Sequence, residues 1–514
     1  MNSVASYFKR AVMYDSNSKR KTDIDKALTE MVAKDVQPYN IVENEGFVQY
    51  THVLDPRYKL PSKTHLRDVL MHNYFTETSA KLSAILVNVS NIAVTCDLWT
   101  SSANASFLTV TGHFVYNYEL KTASLATKKL LSTTNHCSQN IADTLRDIFI
   151  EWNILEKTVC IVTDNASSML KACDLLHIRN LPCFAHTINL VVQDALKVDD
   201  PVLQALFTKC KSIVRFFKQS TISNEKLKLA QEGSEYTLLQ ETPTRWNSFY
   251  FMIERIIKMN DAIAKVLLST TNAPQPFTAE EILMLKDIEK VLAFFQQASE
   301  KISGGKYVTI SLIIPMTYGL FRKIESVVPL LQTLQGKTLN KILMESIKQR
   351  LSVYEQRTVC RMATLLDPRF KKSGFQHSSN AEQAATCFEN ELAASNQPVA
   401  PDSSLQDTLL DFLGERSMNN SVNSRVDAIL TKRQYLERAI VGQDIDPLLW
   451  MKVNQTDFPA IGSLFAKYLC IPATSVESER TFSKAGEIIS ERRTRLKEKN
   501  VNILLFLNRN SWLK

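Results

Sequence analysis

The sequence lacks the cysteine spacing that marks a zinc finger or a disulfide framework. Its nine cysteines are scattered along the chain without a C-x-x-C pair, and most of them lie within apolar segments. Cysteines in this arrangement are typical of reduced, buried thiols in a cytosolic or nuclear protein. We therefore expect neither disulfides nor a structural zinc ion in this chain.

Long hydrophobic runs and a secretory signal are also missing. No apolar run approaches the roughly 20 residues that cross a bilayer, and residues 1–21 lack the apolar core of a signal peptide. We therefore expect no membrane partner. The 514 residues, 45% of them hydrophobic and 22% charged, have globular composition and allow roughly two to four domains.

Positive charge is only slightly in excess in this sequence. A formal net charge of +8 permits a polyanionic partner such as DNA without requiring one. Two basic clusters suit phosphate contact or nuclear import: Lys19, Arg20 and Lys21, and Arg492, Arg493, Arg495, Lys497 and Lys499. Solvated helix faces are the common alternative for such clusters.

The first part of the chain changes its hydrophobic period near residue 90. Residues 1–89 contain apolar residues spaced at three and four, which predicts a helical N-terminal region. The segment 90–200 instead contains three stretches rich in β-branched and aromatic residues, at 92–99, 106–120 and 157–165, with an amphipathic helix at 140–154. The order strand, strand, helix, strand predicts a mixed α/β sheet.

The second part of the chain is helical with one interruption. Residues 201–372 predict an all-α domain, in which Thr278 and Glu281 form a capping box. Residues 373–425 are polar and rich in Ser and Asn, which indicates a flexible linker. Helical sequence returns in 426–456, and 457–514 is dense and apolar.

Two aspartates follow predicted strands. Asp97 comes after the apolar run IAVTC, and Asp164 comes after VCIVT. The carboxyl end of a strand is a recurring place for functional groups, because the strand fixes the side chain where the sheet opens on a crevice. If the two strands are neighbours, both acids can share one ion. A turn or helix-capping role is the more common explanation for either aspartate alone.

A third acid lies near the C-terminus, in the stretch IPATSVESERTF. Ser475 or Ser478 can cap a helix that carries Glu479. A surface glutamate paired with Arg480 or Lys484 is the alternative that composition leaves open.

The chain resembles the hAT superfamily of DNA transposases, and within it the domesticated vertebrate proteins that usually carry a BED-type zinc finger. The resemblance rests on the segments VENEGFVQYTHVLDPRYKLPSKTHLRD, VTCDLWTSSANASFLTVTGHFV, VTDNASSMLKAC, LPCFAHTINLVVQ, PTRWNSFYFMIERI, MATLLDPRFK and YLCIPATSVESERTFSKAGEIISERRTRL. It implies an α/β + α fold. An RNase H-like mixed sheet would be interrupted by a large all-α insertion domain, here 201–372 and 426–456, and completed by 457–514.

The resemblance also implies a catalytic triad of Asp97, Asp164 and Glu479. In such an enzyme these carboxylates hold Mg²⁺ or Mn²⁺, and two ions about 3.5–4 Å apart promote an in-line attack on a phosphodiester. We therefore expect the three carboxylates to converge within about 10 Å of one another.

Further site residues follow from the same resemblance. Cys183 and His186 match a C-x-x-H pair that is expected to support the active site, although a structural histidine explains the pair equally well. Arg245 and Trp246 match an Arg-Trp motif in which the indole stacks on an extruded base. Packing between helices is the alternative for Trp246. Arg480 and the cluster of Arg492, Arg493 and Arg495 are expected to contact DNA.

The chain departs from the family pattern at its N-terminal end. Residues 1–90 contain no C-x-x-C followed by spaced histidines, so the BED finger is missing from this sequence. The apolar stretch VNILLFLNRNSWL resembles the family's C-terminal dimerisation region, and core packing is the alternative role for it. The sequence and its resemblance therefore predict a nuclear, DNA-associated protein that forms a homodimer or a higher homo-oligomer and regulates transcription. An active transposase and a protein-interaction scaffold are the two alternatives.

Overall fold

The computed structural model describes residues 13–100, 105–130, 138–231, 233, 235–242, 244–395, 424–481 and 498–513. The chain forms two compact units. Unit 1 comprises Met1–Leu181 together with Cys470–Lys514, and unit 2 comprises Pro182–Leu469. Unit 1 is therefore discontinuous in sequence, because the whole of unit 2 is inserted into it.

The helices and strands occur in the following order. Unit 1 begins with α1 (Lys19–Lys34), α2 (Glu45–Leu54), α3 (Met71–Val87), β1 (Ile92–Thr100), β2 (Ser106–Tyr116), β3 (Glu119–Lys129), α4 (Ser138–Glu151), β4 (Thr158–Thr163), α5 (Ser167–Leu176) and β5 (Asn180–Pro182). The short helix Lys63–His65 and the π turn Leu66–Leu70 run directly into α3.

Unit 2 is predominantly helical in its described residues. It contains α6 (Phe184–Leu196), α7 (Pro201–Gln219), α8 (Thr221–Ala230), α9 (Trp246–Lys258), α10 (Asn260–Leu268), α11 (Ala279–Ile302), α12 (Ile313–Val327), α13 (Leu334–Arg350), α14 (Thr358–Leu366), α15 (Ser378–Ser395), α16 (Ser424–Glu437), α17 (Pro447–Asn454) and α18 (Ile461–Leu469). Unit 1 then resumes with α19, described over 476–481, and α20 (Glu498–Arg509).

The sheet of unit 1 has five strands in the order β3-β2-β1-β4-β5. Strands β1 and β4 are parallel, whereas β1 with β2 and β2 with β3 are antiparallel, so the predicted mixed sheet is confirmed. The predicted strand 106–120 is wrong at its end. Asn117 and Tyr118 both have positive φ and turn the chain into β3, because successive positive φ values give the tight turn that suits a twisted hairpin.

The core of unit 1 lies between the sheet and amphipathic helices. Helix α4 buries Leu145, Ile148 and Phe149 at the spacing of one helical face. Helix α20 differs, because its run Ile503–Leu507 is buried almost completely. Each such Leu or Phe contributes about 1.5–3 kcal/mol by leaving water. The C-terminal apolar stretch therefore packs into the core of its own chain.

Helix α20 and the residues after it also cover the open edge of the sheet. Strand β3 is an edge strand, and its outward backbone groups bond to side chains from the C-terminal segment over 2.7 to 3.0 Å. The pairs are Glu498 with Lys129, Asn502 with Thr127, Asn510 with Ser124 and Trp512 with Thr122. Glu498 and Asn502 are four residues apart on the helix, a rise of about 6 Å, and Lys129 and Thr127 are two residues apart on the strand, a distance of roughly 6.7 Å. Because these distances are similar, both pairs can form at the same time.

Unit 2 confirms the predicted helical domain in its main features. The capping box of Thr278 and Glu281 opens α11 as expected. The predicted linker 373–425 is wrong in its first part, because residues 378–395 form α15 and bury Phe388 and Leu392 completely. Its alanines supply helix propensity, which outweighed the polar composition that suggested a linker. Residues 396–423 lie outside the described residues.

One helix-ending element occurs twice. Helices α2 and α14 both end at Asp-Pro-Arg followed by an aromatic residue and lysine. In each copy the aspartate accepts hydrogen bonds from the backbone and side chain of the arginine two positions later: Arg57 to Asp55, and Arg369 to Asp367. The second copy is buried, whereas Arg57 is largely exposed.

The unit boundaries differ from the predicted domain boundaries. The first part of the core ends at Leu181 instead of residue 200, and the second part begins at Cys470 instead of 457. Helix α6 therefore belongs to unit 2. Eight cysteines are described, all without disulfides, and all but Cys387 are buried. None of the described helices combines the length and apolar character that crossing a membrane requires.

Candidate functional site

The two strand-end aspartates belong to neighbouring parallel strands. Thr95 of β1 lies opposite Val162 of β4, so continuing this register by two residues places Asp97 beside Asp164. Asp97 is still within β1, and Asp164 directly follows β4. The same edge of the sheet therefore presents both carboxylates, as the sequence predicts for adjacent parallel strands.

The helix that carries the third acid is hydrogen-bonded to strand β1. Glu479 lies on α19, which starts after Ser475, whose carbonyl accepts from the amides of Ser478 and Glu479. The hydroxyl oxygens of Ser478 and Thr95 are 2.7 Å apart, and both residues are buried. Because Ser478 is adjacent to Glu479 and Thr95 is two residues before Asp97, this contact fixes the helix of one acid against the strand of another.

His113 extends the hydrogen bonds of Thr95 across the sheet. Nε2 of His113 lies 3.0 Å from the Thr95 hydroxyl, and Nδ1 lies 3.1 Å from the hydroxyl of Thr122 on β3. Burial lowers the pKa of His113 to about 3, because an imidazolium in the sheet would lose its hydration. The neutral ring uses one nitrogen as donor and the other as acceptor, and so links β3, β2 and β1 to α19.

Arg509 also binds α19, through the residues next to Ser478 and Glu479. Its guanidinium, from the last turn of α20, donates to the Thr481 hydroxyl over 2.9 Å and to the Glu477 carbonyl over 3.2 Å. The Glu477 carboxylate lies 3.7 Å from the same group and also pairs with Arg480. The C-terminal helix therefore contributes directly to the placement of the helix that carries Glu479.

The carboxylate of Asp97 is close enough to those of Asp164 and Glu479 to be repelled by both. The pKa of Asp97 is raised to about 7 by burial first, then by the negative charges of Glu479 and Asp164. Like charges in a partly desolvated place disfavour ionisation of a further carboxylate. A side chain perturbed by burial and by specific charged neighbours is a candidate for a functional role.

The donor atoms and the charge of this cluster fit a hard divalent cation. Carboxylate oxygens are the ligands that Mg²⁺ and Mn²⁺ prefer, and a cation would relieve the repulsion that raises the pKa of Asp97. Among the described residues no three His, Cys, Asp or Glu side chains are arranged as a complete metal site.

Cys183 and His186 lie in unit 2, at the beginning of α6. Cys183 is the residue before the helix and is buried, whereas His186 is half-buried in the first turn. Tyr354 also packs at this helix start, where its hydroxyl donates to the Pro182 carbonyl over 2.9 Å. The supporting role of the C-x-x-H pair stays a prediction.

Arg245 and Trp246 are adjacent but occupy different environments. Arg245 is exposed at the residue before α9, whereas Trp246 is 4% exposed and packs near Phe295 at a centroid distance of 6.3 Å. The indole is therefore packed between helices, which was the alternative to stacking on a base. Both residues also line a cavity of about 790 Å³ together with Lys197 and Lys211.

The remaining expected DNA contacts divide into two groups. Arg480 is exposed on α19 and pairs with Glu477. Arg492, Arg493 and Arg495 lie outside the described residues, so their role stays a prediction.

Sequence reasoning missed the residues that position the acids. Thr95, His113 and Arg509 lie within or next to strongly apolar segments, and none of them matches a catalytic pattern. His113 could have been found from the sequence. It lies in the middle of the apolar strand SFLTVTGHFVY, and a buried histidine needs a polar partner.

Three family models match this chain in succession. They are the ZBED1 RNase-like domain over residues 95–183, the ZBED1 RNase-like helical domain over 181–291, and the hAT family C-terminal dimerisation region over 431–511. The first match ends where unit 1 is interrupted, and the second begins there. The resemblance to the hAT superfamily is therefore confirmed, with an RNase-like domain followed by a helical one.

Similarity to individual proteins extends over most of the chain. The human zinc finger BED domain-containing protein 4 is 26% identical, with 97% of this chain and 44% of the relative aligned. The putative AC transposase of Zea mays is 26% identical over 91% of this chain and 62% of its own length. The human zinc finger BED domain-containing protein 6 is 24% identical over 95% and 55%. The chain thus spans about half the length of these relatives.

Proposed function

We propose that this chain, a relative of the hAT transposases and of the zinc finger BED domain-containing proteins, is a nuclear protein that binds DNA as a homodimer and regulates transcription. The observation that carries the proposal is the placement of Asp97 beside Asp164 at one sheet edge, with the helix of Glu479 hydrogen-bonded to the same strand. The carboxylates of Asp97, Asp164 and Glu479 would hold a divalent cation, which would supply a binding position for a phosphodiester oxygen.

Basic side chains in unit 2 supply a second contribution to DNA affinity. Lys197, Lys211 and Arg245 line one cavity, and Arg245 is exposed. Cations of this kind contact phosphates and release counterions, so the resulting affinity depends strongly on salt. The two acidic residues at the same cavity, Asp199 and Glu241, moderate this positive charge.

Dimerisation is supported by the match over residues 431–511. The apolar residues of α20 within that match are buried in their own chain, so they are not free to form an interface. Helix α17 in the same match exposes Leu449 and Val453, which are 52% and 80% accessible. We assign part of the dimer contact to this face of α17.

A binding measurement tests the proposal directly. Fluorescence anisotropy of a labelled DNA duplex should report binding that weakens at least about tenfold between roughly 50 and 200 mM salt. Mg²⁺ should strengthen the binding for the wild-type protein but not for Asp164→Asn. Asp143→Asn is the matched control, because Asp143 is an exposed residue of α4 paired with Arg146. Absence of DNA binding at moderate salt would favour a protein-interaction scaffold instead.

DNA cleavage is a second candidate function, favoured by the presence of all three acids. When bound, Mg²⁺ would activate a water or a 3′-hydroxyl and stabilise the leaving oxygen. The chain's own part is to hold three carboxylates at one sheet edge through Thr95, Ser478 and Arg509. Incubation with Mg²⁺ or Mn²⁺ and DNA bearing terminal inverted repeats of a related element tests this function. Equal nicking by wild type and Asp164→Ala, or none by wild type, would exclude it.

A further inference from the structure

Unit 2 contains a groove that the proposed function does not use. It lies between α11 and α12, has a volume of about 480 Å³ and is completed by Phe370 and Gln443. This volume is within the range of about 300–1,000 Å³ for ligand sites. The apolar wall includes Phe294, Met316 and Phe370, of which the first two are only half-buried.

The charged side chains that line the groove are all positive. Lys301 of α11 and Lys323 of α12 line it, and no aspartate or glutamate does. Across the described ranges, neither ammonium group has a carboxylate within ion-pair distance. Two exposed lysines beside an apolar wall attract a ligand that combines apolar groups with negative charge.

The backbone of α12 leaves additional room at this place. Gly319 lines the groove, and a Cβ atom added there would meet no atom within 4 Å. A glycine inside a helix costs about 0.5–1 kcal/mol relative to alanine. The open space above Gly319 lets a bound chain approach the helix backbone closely.

We propose that this groove binds an acidic amphipathic helix of a partner protein. Apolar side chains of that helix at i, i+4 and i+7 contact Phe294, Met316 and Phe370, and its flanking carboxylates pair with Lys301 and Lys323. A small inorganic anion would leave the apolar wall in water, and a neutral apolar peptide would leave both lysines without a partner. The helix-in-groove mode satisfies both features.

The test uses the full chain and a labelled synthetic peptide of about 16 residues, roughly four helical turns. The peptide carries Leu, Leu and Phe at i, i+4 and i+7 and glutamates at the flanking positions. Binding is measured by fluorescence anisotropy at several salt concentrations. We expect saturable binding that Lys301→Glu with Lys323→Glu weakens at least about tenfold, since both ion pairs become repulsive.

Two further variants separate groove binding from loss of folding. Gly319→Leu fills the groove at a position with open space and higher helix propensity, so it should fold and should still bind the peptide at least about tenfold more weakly. Lys265→Glu on α10 is the matched charge control and should bind as wild type does. Equal binding by wild type, Gly319→Leu and the double lysine variant would overturn the proposal, as would equal binding of a scrambled peptide.

The chain itself offers one competing occupant. Residues 402–416 combine four carboxylates with Leu405, Leu409, Phe412 and Leu413 in their sequence. A variant with this segment replaced by a Gly-Ser sequence of equal length should bind the peptide as wild type does. Binding of the peptide only by the replaced variant would assign the groove to the chain's own segment and overturn the assignment to a partner.

Discussion

The hydroxyl groups of Thr95 and Ser478 lie 2.7 Å apart although 383 residues separate them in the sequence. Thr95 is on the central strand β1, and Ser478 is on the short helix that carries Glu479. The entire helical unit 2 is inserted between the two residues. This hydrogen bond therefore connects the two halves of the discontinuous unit 1 next to its carboxylates.

Removal of the Thr95 hydroxyl should destabilise unit 1 and disturb the placement of Glu479. Thr95→Val preserves the shape but leaves Ser478 and His113 without this partner, which should cost about 2 kcal/mol of unfolding free energy. Thr95→Ser retains the hydroxyl and should cost only about 1 kcal/mol through the lost methyl group. Denaturant unfolding with and without Mg²⁺ measures both effects. A Mg²⁺-dependent gain in stability that Thr95→Val leaves intact would contradict the positioning role.

The pH dependence of stability should reveal the raised pKa of Asp97, which burial causes first and the charges of Glu479 and Asp164 second. The folded chain keeps the Asp97 proton up to a pKa of about 7, whereas the unfolded chain releases it near the ordinary value of 3.8. Below pH 3.8 both the folded and the unfolded chain hold the Asp97 proton, so Asp97 does not destabilise the fold there. As the pH rises from 3.8 to about 7, the unfolded chain loses this proton first and the free energy of unfolding falls.

Asp97→Asn should remove this pH dependence. At pH 8 the variant should be more stable than wild type by on the order of 2 kcal/mol, because no charge is forced into the cluster. Urea unfolding at pH 5 and pH 8 is the measurement, and Asp143→Asn on the exposed face of α4 serves as the control. Parallel stability profiles of wild type and Asp97→Asn would show that folding does not raise the pKa of Asp97.

Substitutions at Arg245 and Trp246 should separate DNA affinity from packing. Trp246 is 4% exposed, so Trp246→Ala should lower the unfolding free energy by about 3–5 kcal/mol. Arg245 is exposed, and Arg245→Ala should leave stability unchanged while reducing the salt dependence of DNA binding. Thermal unfolding and DNA titrations check the two variants. A Trp246→Ala protein of native stability with weakened DNA binding would instead support base stacking.

The repeated Asp-Pro-Arg element provides an internal comparison of buried and exposed ion pairs. Asp367 is completely buried and accepts from Arg369 and from the hydroxyl of Ser311 at 2.6 Å. Asp367→Asn leaves the arginine without its counter-ion and should cost about 3–5 kcal/mol. Asp55→Asn changes the same element where water reaches it and should have a much smaller effect on unfolding. Equal effects would show that burial does not govern the strength of this element.

The sequence predicts those parts of the fold that depend on residues close to one another in the chain. The strands β1 and β4 follow from two apolar runs that each precede an aspartate, and the capping box at Thr278 follows from residue identity. The parallel pairing of β1 and β4, which the sequence left open, is given by the structure. Strand β3 was missed, because only the positive φ values at Asn117 and Tyr118 reveal the turn before it. Helix α15 was missed because its polar surface resembles a linker until Phe388 and Leu392 are seen to be buried.

The candidate site was only partly predictable, for a related reason. Asp97 and Asp164 could be found from their positions at strand ends, but Glu479 depended on family resemblance. The contacts that hold Glu479 in place involve Thr95, His113 and Arg509, which come from three distant parts of the chain. Such pairings become visible only after the two separated segments of unit 1 are brought together.

The covering of β3 by the C-terminal segment has a consequence for the synthesis of this protein on the ribosome. Strand β3 leaves the ribosome long before its partners Asn502 and Asn510, which follow their β3 residues by 375 and 386 positions in the sequence. Until then the backbone groups of this edge are open to pairing with strands of other nascent chains. Premature termination before residue 498 would therefore yield an aggregation-prone product as well as an incomplete one.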